Sequence, residues 1–131
     1  YQCDWSSDVC SSDLYCNTPE FQDPVVADSN IHILWSTDST IESSYKDLGN
    51  FDFIIDDGMH SLQSQLAALT YALPKLNKGG VYVIEDIIQQ SFIGTLENHA
   101  LGINSALKVE THLGMKDGRF DDMMLILHNP S

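Results

Sequence analysis

Two short apolar runs that end in acidic residues organise the middle of the chain. The first, residues 51–55, reads Phe-Asp-Phe-Ile-Ile and meets Asp56 and Asp57. The second, residues 81–84, follows the turn-like segment 77–80 and meets Glu85 and Asp86. Near-continuous apolar runs of this length are typical of buried parallel strands. The pattern therefore predicts two such strands with acids at their carboxyl ends.

The segment between these strands has the leucine spacing of an amphipathic helix. The leucines recur at steps of four and three residues, which places them on one helical face: Leu62, Leu66, Leu69, Leu73 and Leu76. Ser61 suits the N-cap, and Pro74 should end the helix near Leu73. The strand–helix–strand unit spans about 35 residues, a suitable length for a right-handed crossover between parallel strands.

Weaker patterns flank this unit. Residues 31–35 form a short apolar run, and residues 41–49 predict a weak helix that stops at Gly49. Residues 91–106 predict a moderately amphipathic helix. The alternating segment 107–113 and the apolar run 123–127 predict a hairpin that turns at Asp117–Gly118. The predicted fold class is α/β, with parallel strands and a C-terminal antiparallel hairpin.

Composition narrows the class of protein. The chain has 131 residues, enough for one small domain, with a net charge of −13 and a pI of about 4.3. Such an acidic surface repels phosphate backbones and argues against a nucleic-acid partner. The sequence has no apolar run of the roughly 18 residues that a membrane span needs, and no signal-peptide pattern. We expect a cytoplasmic protein without a membrane partner, and self-association stays open.

The N-terminal segment has a different character. Residues 4–14 match a translated reading frame of a sequencing-library adaptor, and their Ser-Ser-Asp unit occurs twice. We therefore treat residues 1–14 as a non-native segment, with a natural Ser/Asp-rich linker as the alternative. Without its three acids the net charge is still about −10, so the acidic character is unchanged.

The acids that follow the two strands carry the candidate chemistry. Neighbouring strands lie about 4.8 Å apart, so adjacent strands would bring Asp57, Glu85 and Asp86 to one point. Three carboxylates that close repel each other unless a cation lies between them, and oxygen ligands suit Mg²⁺. His60 follows Asp57 by three residues, where an imidazole could take a proton from a bound hydroxyl.

The residues alone leave other interpretations open. Acids at strand ends also form turns or cap helices, and His60 could be a solvated loop residue. One alternative is a metal-dependent hydrolase that uses the same carboxylates and His60. Another is a non-catalytic α/β interaction module in which the acids only shape turns.

Residues 51–60 and 79–86 together resemble the metal-dependent sugar O-methyltransferases of macrolide biosynthesis, such as the macrocin and mycinamicin O-methyltransferases. The two segments read FDFIIDDGMH and GGVYVIED. Asp57 and Glu85 are 28 positions apart, which is similar to the family spacing. Met59 departs from the family's usual serine, at a position that is not a ligand. The resemblance covers residues 31–87 well and the C-terminal hairpin more weakly.

This resemblance implies an S-adenosylmethionine-dependent class I methyltransferase with a Rossmann-like α/β fold. In the family, Mg²⁺ binds neighbouring hydroxyls of a sugar-like small-molecule acceptor, and a histidine acts as general base. Carried over by motif, six residues have an implied role: the Mg²⁺ ligands Asp57, Glu85 and Asp86, the base His60, and the methyl-donor contacts Asp38 and Asp56.

The part of the family that cradles the methyl donor has no counterpart in this sequence. It consists of a first strand with a Gly-rich turn and a second strand that ends in a ribose-binding acid. In the strand order 3-2-1-4-5-7-6 that the resemblance implies, both would lie between the strands at 31–35 and 51–55. We therefore expect residues 15–131 to be the C-terminal part of a single methyltransferase domain. Unpaired edges in the middle of its sheet would favour aggregation.

We predict that this chain binds S-adenosylmethionine weakly or not at all and is inactive by itself. The reason is that the strands that hold the donor are missing from the sequence. Calorimetric titration of the purified chain with S-adenosylmethionine measures this directly. Binding in the micromolar range would contradict the prediction.

Overall fold

A computed structural model describes residues 38–114 and 123–131. These residues form an α/β fold with a mixed four-stranded sheet and two α-helices. The elements in chain order are β1 (Phe51–Asp56), α1 (Leu62–Ala72), β2 (Leu76–Ile87), α2 (Gln90–Ile103), β3 (Lys108–Leu113) and β4 (Met123–His128). Two short 3₁₀ turns, Glu42–Tyr45 and Leu73–Lys75, precede β1 and β2.

The strands are arranged in the order β1-β2-β4-β3. β1 pairs with β2 in parallel, with α1 in the connection, as the sequence predicts. β4 pairs antiparallel with both β2 and β3. The last two strands are therefore adjacent and antiparallel, which confirms the predicted pairing of residues 107–113 with 123–127.

One face of the sheet carries the hydrophobic core. Residues opposite each other on paired strands share a face, so Ile84 lies between Asp56 of β1 and Leu125 of β4. Both helices contact β2 and each other, and their buried side chains join this face. Leu69, Leu73 and Leu76 are buried, while Leu62 and Leu66 pack partly buried against the core. The leucine face of α1 is therefore a packing surface, as predicted.

β1 differs from the predicted buried strand. Within residues 38–114 and 123–131 it pairs with β2 alone, so one of its edges is open. Phe53 is 57% exposed, and Phe51 and Ile55 are each 39% exposed. The apolar run did predict a parallel strand. It did not predict exposure, because exposure depends on which segments cover the strand.

Several element boundaries also differ from the prediction. α1 does end where the sequence predicts, at Ala72 with Leu73 as its C-cap, because Pro74 cannot continue the hydrogen-bonding pattern, and the chain continues as a 3₁₀ turn. The helix predicted over 41–49 is limited to the 3₁₀ turn Glu42–Tyr45, and the helix predicted over 91–106 spans Gln90–Ile103. Neither helix of the described chain has the length and apolarity needed to cross a membrane. The predicted strand at 31–35 and the turn at Asp117–Gly118 lie outside the described residues.

The predicted turn at 77–80 is an irregular stretch inside β2. Phe51 pairs with Leu76 and Phe53 with Val81, so β2 contains extra residues between these pairs. The Gly79 N–H donates to the Asn129 carbonyl at 2.7 Å, and the Asn129 N–H donates to the Gly80 carbonyl at 2.9 Å. A Cβ on Gly80 would lie 2.9 Å from the backbone carbonyl oxygens of Asn77 and Asp52. Position 80 therefore has no room for a side chain.

Gly80→Ala should destabilise the fold by about 1–3 kcal/mol, because a methyl group there overlaps backbone atoms that cannot move independently. Gly94→Ala is the matched control. Position 94 lies in α2, where an added methyl group would have no atom within 4 Å, and alanine favours helix by up to about 1 kcal/mol over glycine. Urea unfolding of the two variants should move the midpoint in opposite directions. Equal stability of the Gly80→Ala variant and the parent chain would contradict the steric conflict at position 80.

Candidate metal centre

The junction between β1 and α1 positions Asp57 and His60. β1 ends at Asp56, and α1 begins at Leu62 with Ser61 as its N-cap. The Ser61 hydroxyl accepts a hydrogen bond from the Ser64 N–H at 3.2 Å, as the sequence predicts for a capping serine. His60 therefore lies in the connecting loop, immediately before a capped helix.

A bulge in β2 positions Asp86. Ile84 pairs with Leu125 and Ile87 with Met123, so β2 has one residue more than β4 across this interval. Asp86 has a φ of 49°, in the left-handed region that residues with a Cβ seldom adopt. Bulges bend a strand and redirect a side chain near its end. Here the bulge lies where β2 approaches the β1–α1 loop.

These two arrangements bring Asp57, His60 and Asp86 together. His60 Nε2 lies 3.7 Å from Asp57 Oδ1 and 3.5 Å from Asp86 Oδ2. One potential ligand atom from each residue lies within 4.8 Å of the other two. All three side chains are half-buried, so the group is open to a small ligand from solvent.

The donor set fits a divalent cation. An octahedral ion that binds its ligands at about 2.1 Å holds opposite ligands about 4.2 Å apart. Both distances from His60 are below that value, and all three separations lie within 4.8 Å. Two carboxylates and one imidazole suit Mg²⁺ or Mn²⁺, and the imidazole adds affinity for transition metals. The identity and spacing of these donors are therefore compatible with a divalent cation.

Glu85 lies beside the group but is not one of its three members. Its carbonyl oxygen accepts a hydrogen bond from Gln65 Nε2 at 3.2 Å, so the main chain of residue 85 is tied to α1. Sequence reasoning did not single out Gln65. The sequence did contain an indication of its role. Residue 65 is three positions after Leu62 and four before Leu69, so a polar amide lies on the otherwise apolar leucine face of the helix.

Asp56, the predicted donor contact, is a buried carboxylic acid next to the cluster. It is 5% exposed, its Oδ1 accepts from the Gly58 N–H at 3.3 Å, and its buried Oδ2 has no hydrogen-bond partner in the described chain. Burial raises the pKa of Asp56 to about 6, and the Asp57 charge adds to the rise, while the Gly58 N–H and His60 lower it. Asp56 also lines a cavity of about 240 Å³, together with apolar residues of β1 and α1. None of the cluster residues Asp57, His60 and Asp86 lines this cavity.

Asp38, the second predicted donor contact, is an exposed residue four positions before the first 3₁₀ turn. Its Oδ1 accepts from the Thr40 hydroxyl at 2.6 Å and from the Thr40 N–H at 2.8 Å. These hydrogen bonds, the side-chain one first, lower the pKa of Asp38. Asp38 does not line the cavity beside Asp56, so the two predicted donor contacts do not share that pocket.

The fold and the cluster define an α/β domain with a candidate ligand site at the carboxyl ends of two parallel strands, the usual location in open α/β sheets. Over 54 residues the chain is 39% identical to the 8-demethyl-8-alpha-L-rhamnosyl tetracenomycin-C 2'-O-methyltransferase of Streptomyces olivaceus. The match covers 38% of this chain and 14% of that enzyme. It supports a relationship to the methyltransferases, although the chain spans only a small part of the relative's length. No family model matches the chain.

Asp56→Asn should change the pH dependence of stability. A carboxyl group whose pKa is about 6 in the folded chain and 3.8 in the unfolded chain stabilises the fold most below pH 3.8. This stabilisation is lost as the pH rises through 6. The amide does not ionise, so the variant should gain about 3 kcal/mol relative to the parent chain between pH 3.5 and pH 7.5. Urea unfolding of both proteins at the two pH values, without added metal, measures the gain. A stability difference that is the same at both pH values would contradict the assignment.

Proposed function

We propose that this chain is part of an S-adenosylmethionine-dependent O-methyltransferase whose acceptor is a hydroxyl of a sugar-like small molecule. The observation that carries the proposal is the meeting of Asp57, His60 and Asp86 at the ends of β1 and β2. In this proposal the cluster holds Mg²⁺, and the acceptor binds beside it. Most of the rate in such a transfer comes from holding the reactants in position.

The topology is compatible with this proposal. The order β1-β2-β4-β3 corresponds to strands 4-5-7-6 of the Rossmann-like methyltransferase sheet that the resemblance implies. One parallel pair followed by an antiparallel hairpin also fits that sheet. The relative from Streptomyces olivaceus is, by its name, a 2'-O-methyltransferase for a rhamnosyl tetracenomycin, which supports a hydroxyl acceptor on a sugar.

The residues of the cluster have distinct roles in the proposal. Asp57 and Asp86 are the anionic ligands, and Glu85 lies next to them in β2. When bound, Mg²⁺ would lower the pKa of a hydroxyl held beside it. In this proposal His60, whose Nε2 lies within 3.7 Å of both carboxylates, either accepts that proton or serves as a third ligand.

The methyl-donor site is not assigned to these residues. In the described part of the chain, no strand leads into a Gly-rich turn that could hold the donor. Asp56 stays a candidate donor contact because one of its buried oxygens has no partner. The Asp38 carboxylate already accepts two hydrogen bonds from Thr40, so it is a weaker candidate. We therefore expect the donor to be held mainly by other parts of the parent enzyme.

Cation binding by the chain tests the proposed centre. Mg²⁺ and Mn²⁺ should each raise the melting temperature, because a ligand that binds only the folded state stabilises it. Asp86→Asn should weaken Mn²⁺ binding at least about tenfold, since even partners outside the coordination shell contribute 10–100-fold. Titration calorimetry with each cation measures the affinities.

Glu42→Gln is the matched control for this experiment. It removes one negative charge from an exposed residue outside the cluster, so it should leave the affinity unchanged. If neither cation stabilises the parent chain, the acids only shape turns, and the non-catalytic interaction module becomes the better interpretation. If the 131-residue chain binds the cation but the longer enzyme to which it belongs does not consume S-adenosylmethionine, the metal-dependent hydrolase is favoured.

A further inference from the structure

We propose that Gln65 is a positioning residue that holds the β2 bulge in the shape that brings Asp86 to the candidate metal centre. This inference rests on the proposed function, because it concerns the same cluster. Gln65 lies on α1 and Asp86 on β2, so the contact joins the two elements that supply the site.

The geometry of one hydrogen bond carries the inference. Gln65 is 2% exposed, and its Nε2 donates to the Glu85 carbonyl oxygen at 3.2 Å. That carbonyl belongs to the peptide group that joins Glu85 to Asp86. The φ angle of Asp86 is the rotation next to this peptide plane, so a bond that fixes the plane also limits the direction of the Asp86 side chain.

Asp86 needs such a restraint. Among the described residues it is the one non-glycine with a positive φ, at 49°. This conformation is uncommon even for aspartate, so a contact that fixes the adjoining peptide plane helps to hold it. The register of β2 and β4 also shifts between Ile84 and Ile87, so the Gln65 hydrogen bond acts on a peptide in an irregular part of the strand.

Gln65 is also a poor choice for stability alone. Its Oε1 is buried and has no hydrogen-bond partner among residues 38–114 and 123–131. A buried acceptor without a partner destabilises a fold, and an apolar side chain of the same length would avoid that cost. The benefit of the amide is therefore its Nε2–H, which reaches the bulge.

Gln65→Met tests this role, because methionine fills a similar space without the amide. We expect Mn²⁺ affinity of the full 131-residue chain to fall about tenfold or more, as for other residues that orient metal ligands. The metal-free melting temperature should stay within about 4 °C of the parent value, because the lost hydrogen bond is offset by removal of the unpartnered oxygen. Electron paramagnetic resonance of free Mn²⁺ gives the affinity, and thermal unfolding gives the stability.

Thr70→Val is the matched control. It removes a half-buried hydroxyl from the same helix, where Thr70 Oγ1 donates to the Leu66 carbonyl and lies 2.7 Å from His99 Nε2. The Thr70 change should lower the melting temperature without changing Mn²⁺ affinity. Adding Gln65→Met to Asp86→Asn should cause little further loss of affinity, because Gln65 acts through Asp86.

Each outcome is decisive. Equal Mn²⁺ affinity of the Gln65→Met variant and the parent chain overturns this inference alone and leaves the proposed function standing. An equal loss of affinity in the Thr70→Val variant, or additive losses with Asp86→Asn, shows a structural role and also overturns it. If neither the Gln65→Met nor the Gln65→Leu variant folds, Gln65 is a structural residue, and the inference is likewise overturned. Absence of Mn²⁺ binding by the parent chain overturns the proposed function together with this inference.

Discussion

The parallel pairing of β1 with β2 is the interaction on which the candidate site depends. Asp56 lies opposite Ile84 in this pair, so both strands finish at the same edge of the sheet. A six-residue strand is about 20 Å long. With antiparallel pairing, the residues that follow β1 would therefore lie about that far from Asp86. The crossover through α1 makes the parallel arrangement possible, and the buried leucines of α1 hold that helix against the strands.

Two consecutive acids at the end of β1 meet opposite environments. Asp56 is on the core face, where burial favours its neutral form. Asp57 is half-buried and shares His60 with Asp86. At 4.8 Å, the upper limit of the separation between ligand atoms in this group, two unit charges repel by about 1 kcal/mol in water and about 3.5 kcal/mol at an effective dielectric constant of 20. Partial exposure brings the real value towards the lower figure, and a cation or a protonated imidazole between the carboxylates reverses its sign.

Much of this arrangement could be predicted from the sequence because it depends on periodicity. The spacing of leucines predicts α1, the apolar runs predict β1 and β2, and the capping serine before α1 fixes the position of His60. The sequence predicted Glu85 and Asp86 together as ligands. It did not predict that Asp86 would lie nearer Asp57 and His60, since this depends on one extra residue in β2 relative to β4. The Asp38–Thr40 hydrogen bonds and the exposure of Phe53 were also missed, because they depend on local rotamers and on neighbouring segments.

Locally unfavourable features of the described chain are concentrated around the ends of β1 and β2. Asp86 is its one non-glycine residue with a positive φ. Of its three buried side-chain atoms without a hydrogen-bond partner, two belong to Asp56 and Gln65, and the third is His128 Nε2. A sequence selected for stability alone would replace an unpartnered buried carboxyl or amide with an apolar group. Because local strain and unpaired polar groups tend to collect where a protein binds its ligand, their position supports a functional role for this edge of the sheet.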